Sequence, residues 1–162
     1  MARTNPAPSP LRVGVVGLGY IGTTVGGQFH RHPEATVAAV CDPDEARLAE
    51  VGDRFGVSDD RRYAACETML AEAPLDAVLV GTPHTLHYEQ VVAALDRGLS
   101  VYCDKPLTTS LDHAEDLKRL VERRDHLAGR THVGDEGRAL AARRVAVVEV
   151  ALLACEEGGG LP

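Results

Sequence analysis

Arg12-Val-Gly-Val-Val-Gly-Leu-Gly-Tyr-Ile-Gly22 is a short apolar run that leads directly into three glycines with the spacing G-x-G-x-x-G. The run from Arg12 to Val16 is rich in β-branched residues and lacks polar alternation, which is typical of a strand buried on both faces of a parallel sheet. Helical spacing follows from Ile21 to His30. The stretch therefore predicts a strand, a tight turn and a helix in immediate succession.

Each glycine of this turn has a mechanical task that a larger residue would obstruct. Gly17 would make the tight turn, Gly19 would let the backbone approach a pyrophosphate, and Gly22 would let helix and strand pack closely. The pyrophosphate would lie on the N–H groups at the helix N-terminus, beside Tyr20 and Ile21, where the macrodipole favours an anion. A glycine-rich turn without a ligand is the alternative, and the strand before and helix after disfavour it.

Outward from this stretch, the chain keeps alternating between apolar and amphipathic segments. Three further apolar runs, at 36–41, 77–80 and 99–103, predict buried strands that we count as the second, fourth and fifth of a sheet. The alternation predicts an α/β fold, a doubly wound parallel sheet of the Rossmann type with helices on both faces in three layers. The remaining helices are predicted at 44–55, 67–73, 84–97 and 111–124.

Composition excludes several classes of partner. The 162 residues carry 17 basic and 24 acidic side chains, a net charge of −7, and no stretch is basic enough to follow a nucleic-acid backbone. The longest apolar run, 145–155, contains Glu149 and is shorter than the ~20 residues of a membrane span. The N-terminus lacks the apolar core of a signal peptide. We expect a cytoplasmic protein that binds neither nucleic acid nor membranes.

The chain divides into three predicted parts. Residues 1–10 form a flexible, proline-containing lead, and residues 11–127 form the Rossmann domain. Residues 128–162 are an atypical tail without aromatic residues or lysine, in which 138–157 fits either a helix or a strand. The cysteines, at 41, 66, 103 and 155, form no C-x-x-C pair, so we expect free thiols and no zinc site.

A carboxylate stands at the end of the second predicted strand. Asp42 comes twenty residues after Gly22, where it can accept hydrogen bonds from the adenosine ribose hydroxyls and would repel the 2′-phosphate of NADP. The alternative is that Asp42 and Pro43 only cap the next helix. Arg47 lies one turn further and could accept a 2′-phosphate. We expect Asp42 on the ribose, and NAD in preference to NADP.

Gly81-Thr-Pro-His-Thr-Leu-His-Tyr-Glu89 follows the fourth predicted strand, on the side of the sheet where open α/β folds bind ligands. Thr82 and Pro83 would shape the turn beside the cofactor, and His87 would have a cofactor-side or capping role. His84 and His87 together could suggest a metal, but no third ligand is evident. We therefore expect no metal site.

Cys103-Asp-Lys-Pro106 follows the fifth predicted strand, on the same ligand side. Lys105 is one of only two lysines in the chain, the other being Lys118. A lysine can lose its proton when it is desolvated or lies near another cation, whereas an arginine cannot. The alternative is a surface lysine paired with Asp104 ahead of a helix-breaking proline.

These motifs together resemble the N-terminal domain of the glucose-fructose oxidoreductase / inositol dehydrogenase (Gfo/Idh/MocA) family, over about 11–127. The matching pieces are the glycine turn, Cys41-Asp42, the Thr-Pro-x-x-x-His stretch at 82–87, and the segment 93–107, in which Asp104 replaces the usual Glu of a Glu-Lys-Pro signature. The resemblance implies a nicotinamide cofactor held by Gly17, Gly19, Tyr20, Ile21, Gly22, Asp42, Thr82, Pro83, His87, Asp104, Lys105 and Pro106.

The resemblance also implies a reaction, in which hydride passes between the nicotinamide of NAD and the hydroxyl-bearing carbon of a sugar or polyol. Lys105 would be the catalytic residue, as proton acceptor or hydrogen-bond donor to the substrate oxygen, with burial and the positive nicotinamide ring favouring its neutral form.

The family's second domain, an α+β substrate domain, has no counterpart after 127. We therefore expect a truncated chain. Its tail would be a frameshifted or otherwise altered translation of a longer gene. The alternative function is an NAD-binding module without catalytic activity. The resemblance is compatible with an oligomer and does not specify the oligomeric state.

Overall fold

The computed structural model describes residues 9–128 and consists of five parallel strands with helices on both faces. The strands are β1 Leu11–Val16, β2 Ala35–Cys41, β3 Arg62–Tyr63, β4 Ala77–Val80 and β5 Ser100–Cys103. They pair in the order β3-β2-β1-β4-β5, with every neighbouring pair parallel. The predicted doubly wound α/β fold is confirmed. The helices are α1 Tyr20–Arg31, α2 Glu45–Phe55, α3 Cys66–Glu72, α4 His87–Asp96 and α5 Leu111–Ala128.

Apolar side chains on the two faces of the sheet form two core layers. On one face Val15 and Leu79 pack with Phe55 of α2, and on the other Val78 and Val80 pack with residues of α3, α4 and α5. β4 is buried along its whole length, because helices cover both of its faces. This arrangement explains why the strands appear in the sequence as continuous apolar runs, and it gives the three layers that were predicted.

β1 forms the centre of the sheet and pairs with β2 on one side and β4 on the other. Val13 aligns with Val37 and with Ala77, and the register to β2 shifts between Val13 and Gly14. The chain runs outward from β1 to β2 and β3, then returns to place β4 against the free side of β1. The strand order therefore reverses between β1 and β4, and this reversal opens a crevice at their carboxyl ends.

Helix ends agree with the sequence signals at several positions. Gly56 follows α2 with φ of +66°, and Gly98 follows α4 with φ of +79°, as expected of glycines that terminate helices. The predicted helix at 84–97 differs, because His84–Leu86 forms a 3-10 turn and α4 begins at His87. β3 was not recognised as an apolar run, since only two residues form it.

Three sequence-based expectations fall largely outside the described residues. These are the lead at 1–10, the tail at 128–162, and the fourth cysteine at position 155. Cys41, Cys66 and Cys103 are free thiols, as expected. Between residues 9 and 128, no helix combines the length and the apolar character needed to cross a membrane.

Candidate functional site

Hydrogen bonds join the loops at the carboxyl edge of the sheet. Gly17 N–H donates to the carbonyl oxygen of Cys41 at 2.8 Å, and Gly81 N–H donates to that of Val16 at 2.8 Å. Asp104 N–H donates to the carbonyl oxygen of Val80 at 3.0 Å. The segments after β1, β2, β4 and β5, which carry the predicted site residues, are therefore neighbours along one edge.

The three glycines of the turn differ in whether a side chain would fit. We call Gly17 and Gly22, where it would clash, the closed positions, and Gly19, where it would not, the open position. Gly17 has φ of +82°, which disfavours a side chain, and a Cβ there would lie 2.8 Å from Cγ2 of Thr82. A Cβ on Gly22 would overlap the carbonyl oxygen of Gly17. A Cβ on Gly19, in contrast, would meet no atom of the described residues within 4 Å. Folding therefore requires Gly17 and Gly22 to be small, whereas the packing of the protein places no such demand on Gly19.

The first turn of α1 keeps its amide groups free of side-chain caps. Gly19 is the N-cap and supplies no side-chain hydrogen bond, and no acidic residue lies in the first turn. The Thr23 hydroxyl donates back to the carbonyl oxygen of Gly19 at 2.9 Å. Tyr20 is 80% exposed and Ile21 half-buried. A helix start with unpaired N–H groups and open space beside it fits the phosphates of a dinucleotide.

Asp42 links the end of β2 to the glycine turn. One carboxylate oxygen accepts from Leu18 N–H at 2.8 Å, and the other accepts from Asp44 N–H at 3.0 Å. The side chain is 6% exposed. The alternative that Asp42 caps α2 is wrong, because Asp44 is the N-cap and accepts from the amides of Ala46 and Arg47. Each carboxylate oxygen of Asp42 retains a second lone pair for a further donor.

The segment after β4 is held by side chains that face the protein. The Thr82 hydroxyl donates to Oε1 of Gln90 at 2.6 Å. His87 is fully buried, with Nε2 2.8 Å from the carbonyl oxygen of Thr82 and Nδ1 2.9 Å from that of Pro106. Pro83 is exposed at the edge. Backbone oxygens thus face both ring nitrogens of His87, so a direct polar contact between His87 and a cofactor has no free nitrogen to use.

The segment after β5 places Lys105 at the same edge with its side chain exposed. The burial expected of this lysine is not found among the described residues, since Pro106 beside it is exposed as well and Asp104 is half-buried. Within residues 9–128, Lys105 forms no ion pair with Asp104, so the alternative of a paired surface lysine is not found either. The ammonium group is accessible to a ligand that enters the crevice.

Neighbouring thiols do not add a nucleophile to this edge. Burial, followed by the charge of Asp104, raises the pKa of the Cys103 thiol to about 12. The pKa of the Cys41 thiol is also raised to about 12, mainly by burial. Both thiols therefore stay protonated at neutral pH. No group of three His, Cys, Asp or Glu side chains within the described range is placed to hold a metal ion.

Sequence reasoning missed two contributors to the site. Leu18 contributes its backbone N–H to Asp42, and Gln90 fixes the Thr82 hydroxyl. Nothing in the sequence marks a backbone donor. Gln90 lies on α4, eight residues after Thr82, and a polar residue near the start of a helix that follows the ligand-side turn is the only signal that could have suggested it.

Comparison with known proteins places this geometry in a family. The model of the GFO_IDH_MocA group, described as an oxidoreductase family with an NAD-binding Rossmann fold, matches residues 11–132. D-xylose 1-dehydrogenase (NADP(+)) 2 of Haloferax volcanii is 40% identical over 100 residues, which are 62% of this chain and 29% of that protein. Myo-inositol 2-dehydrogenase of Thermotoga maritima is 33% identical over 112 residues, 69% of this chain and 32% of that protein.

Solved structures give the same result for the fold. Scyllo-inositol dehydrogenase of Lactobacillus casei, solved with NAD(H) and scyllo-inositol, superposes with a TM-score of 0.69 at 23% identity, over 73% of this chain and 34% of that one. A 3-ketoreductase of Actinomadura kijaniata, solved with NADP, superposes with a TM-score of 0.65 at 31% identity, over 72% and 36%. The chain spans about a third of the length of the relatives it matches.

Proposed function

The chain belongs to the Gfo/Idh/MocA oxidoreductase family through its NAD-binding Rossmann fold, and from this membership we propose that it binds a nicotinamide dinucleotide at the carboxyl edge and takes part in hydride transfer. The substrate would be a sugar or polyol, oxidised at a hydroxyl-bearing carbon or reduced at the corresponding carbonyl. Residues 11–127 would form the dinucleotide-binding unit. The names of the relatives, which include xylose and inositol dehydrogenases, support this substrate class.

The open position at Gly19 is the observation that carries the proposal. Gly17 and Gly22 are small because the backbone of the turn requires it, so they would be glycines with or without a ligand. In the part of the chain that the structure describes, no neighbour of Gly19 would clash with a side chain there. A glycine at this position, beside the free amides of α1, is explained if a ligand must come close to the backbone there. A pyrophosphate has the charge and size to do so.

Different residues along the carboxyl edge would bind different parts of the cofactor. Gly17, Gly19 and Gly22, with Tyr20 and Ile21, would hold the pyrophosphate, and Asp42 the adenosine ribose. The turn of Thr82 and Pro83 and the segment from Asp104 to Pro106 would lie on the nicotinamide side, where we now assign His87 an indirect role. When bound, the nicotinamide supplies the site that gives or takes the hydride.

We further propose NAD as the preferred form of the cofactor. The buried carboxylate of Asp42 would face the ribose 2′-hydroxyl of NAD and would repel the 2′-phosphate of NADP. The Arg47 guanidinium lies 3.5 Å from the Asp44 carboxylate, so its charge is partly offset and it attracts a phosphate less. Among the relatives, some are solved or named with NADP and one is solved with NAD(H), so both forms occur in proteins similar to this chain.

Lys105 would act on the substrate oxygen. The ammonium group is exposed at the edge and makes no ion pair within the described residues, so it is free to donate a hydrogen bond to a carbonyl or hydroxyl. For substrate oxidation, Lys105 in its neutral form would accept the hydroxyl proton as the hydride leaves carbon. Because its surroundings in this chain leave it exposed, the bound cofactor and substrate would have to exclude water from the amine.

Titration of the chain with NADH, followed by nucleotide fluorescence, tests cofactor binding directly. We expect saturable binding, with NAD⁺ competing better than NADP⁺. In Asp42→Asn the preference for NAD⁺ should fall by roughly tenfold or more, since one negative charge is removed from the ribose position. Asp44→Asn is the matched control, because asparagine retains the helix cap while a nearby charge is lost. Equal effects of the two changes would contradict the assignment of Asp42 to the ribose.

Turnover of NAD⁺ with a panel of pentoses, hexoses and inositols tests the reaction. Lys105→Ala should abolish turnover without weakening NADH binding by more than a few fold. Lys118→Ala, at the chain's other lysine on α5, is the control. Tight NADH binding without turnover of any polyol would reduce the function to that of a nucleotide-binding module. Undiminished turnover in Lys105→Ala would refute the role of this lysine.

A further inference from the structure

His87 connects the turn after β4 to the segment after β5, which contains Lys105. Its ring is fully buried, and its nitrogens lie 2.8 Å from the carbonyl oxygen of Thr82 and 2.9 Å from that of Pro106. Thr82 belongs to the turn after β4, and Pro106 follows Lys105 directly in the segment after β5. A single side chain therefore spans two loops that are 19 and 5 residues away from it in sequence.

Both partners of the ring are hydrogen-bond acceptors. A neutral imidazole carries one N–H and donates to one of the two carbonyl oxygens, and a ring with both nitrogens protonated donates to both. In each case the ring fills a site whose polar groups are backbone oxygens of the candidate active site. Loss of such a buried donor leaves an oxygen without its partner, which is costly in a dry interior.

The position of Lys105 is set by its backbone. Its side chain is exposed and forms no ion pair among the described residues, so no ion pair fixes its position. On one side, Asp104 N–H donates to the carbonyl oxygen of Val80 at 3.0 Å. On the other side, the carbonyl oxygen of Pro106 meets His87. Lys105 thus lies between two hydrogen bonds, and only the second is made by a side chain.

We propose that His87 is a positioning residue that holds the Lys105–Pro106 segment against the β4 turn and thereby fixes the lysine beside the crevice. It acts through the backbone of the lysine segment and touches neither substrate nor cofactor with its nitrogens. The functional consequence rests on the proposed role of Lys105 in hydride transfer. The structural consequence, an ordered Lys105 backbone that depends on one ring nitrogen, does not.

Two conservative replacements separate the contacts of the ring. An asparagine amide takes roughly the place of Nδ1 and can keep the bond to Pro106, whereas a glutamine amide takes roughly the place of Nε2 and can keep the bond to Thr82. Each replacement can donate to one of the two carbonyl oxygens and not to the other, so a purely structural histidine predicts similar losses of stability and similar behaviour of Lys105 in both. A positioning histidine predicts that only the glutamine variant frees the lysine segment.

Backbone ¹⁵N relaxation of Lys105 in the cofactor-free chain is the decisive measurement. We expect an order parameter of about 0.85 in the unchanged chain and in His87→Asn, falling below about 0.6 in His87→Gln. His32→Ala is the control, since His32 is an exposed histidine at the end of α1 and should leave the value unchanged. Equal order parameters in both His87 variants and the unchanged chain would overturn the proposal, as would equal losses in the two variants.

A second readout connects the segment to the cofactor. The chain has only two lysines, so ¹³C reductive methylation gives two lysine signals, assigned with Lys118→Arg. Saturating NAD⁺ should shift the Lys105 signal in the unchanged chain and in His87→Asn, and the shift should fall by at least half in His87→Gln. NADH affinity should change less than about threefold in each variant, because the glycine turn is untouched.

The two proposals fail in different ways. If the unchanged chain does not bind NADH, or if its Lys105 signal ignores NAD⁺, the proposed function fails while the relaxation data still decide the role of His87. If NADH binds and moves the Lys105 signal equally in all variants, the function stands and the positioning role is refuted.

Discussion

Replacing Gly22 with alanine tests the closed part of the glycine turn, and replacing Gly19 tests the open part. A Cβ on Gly22 would overlap the carbonyl oxygen of Gly17, lie 2.9 Å from the carbonyl carbon of that residue, and lie 3.4 Å from Cγ1 of Val15. The nearest obstacle is backbone, which cannot rotate away. Gly22→Ala must therefore separate α1 from β1 or distort the turn.

The size of the effect follows from two opposing contributions. Overpacking against a core costs about 1–3 kcal/mol, and a backbone obstacle places this site at the upper end. Alanine in place of glycine within a helix returns up to about 1 kcal/mol. We expect a net loss of about 2 kcal/mol in the free energy of unfolding, or a melting temperature lower by about 8 °C for a domain of this size.

Gly19→Ala should behave in the opposite way. Nothing lies within 4 Å of its Cβ position, and φ of −72° suits alanine, so the loss of stability should be below about 1 kcal/mol, mainly from the weaker N-cap. Its methyl group would occupy the space assigned to the pyrophosphate, and NADH affinity should fall at least about 100-fold. Urea denaturation and NADH fluorescence measure the two effects. Unchanged NADH affinity in Gly19→Ala, or unchanged stability in Gly22→Ala, would refute the reasoning.

Three further predictions concern stability. Asp44→Ala should lower the free energy of unfolding by about 1 kcal/mol, because it removes the cap of α2, whereas Asp44→Asn should retain most of it in the same urea titration. Gly56→Ala should cost about 1 kcal/mol, since φ is +66° and no atom lies within 4 Å, so the cost is conformational and Gly56→Asn should recover part of it. Burial raises the pKa of Cys41 from 9.0 to about 12, so the folded chain keeps a proton that the unfolded chain releases above about pH 9. Stability should therefore fall as pH rises from 9 toward 12, by about 1 kcal/mol for this thiol between pH 8 and pH 10. Cys41→Ala should show a shallower fall in urea titrations at those two pH values, and an identical slope would contradict the assignment.

Local signals were sufficient for most of the fold. The strand at Arg12–Val16 was predictable because burial on both faces removes polar alternation. The helix ends at Gly56 and Gly98 were predictable because the left-handed backbone conformation that ends a helix favours glycine. β3 was missed, since a strand of two residues, Arg62 and Tyr63, is too short to show a period. The start of α4 was placed three residues early because periodicity does not separate a 3-10 turn from the first turn of an α-helix.

The candidate site was predictable where the backbone builds it and unpredictable where distant segments meet. The turn of Gly17, Gly19 and Gly22 was predictable from their spacing, because its shape depends on the local backbone, namely the positive φ of Gly17 and the close approach of Gly22 to the carbonyl oxygen of Gly17. The surroundings of Lys105 and His87 are different. Burial of Lys105 was expected from its place after a buried strand and is not found, and the partners of His87 depend on how β4 and β5 lie in the sheet.

This division makes the two tasks of the edge separable. The proposed pyrophosphate site lies within one strand–turn–helix unit, so a change at Gly19 should remove NADH binding and everything that requires it. Placement of Lys105 depends on the hydrogen bond that Asp104 N–H donates to the Val80 carbonyl oxygen and on the contact between His87 and the Pro106 carbonyl oxygen. Val80 and His87 lie outside that unit. Loosening the lysine segment should therefore impair proton transfer while NADH still binds. Under the proposed function, the surroundings of the lysine can change without rebuilding the part of the site that would hold the nucleotide.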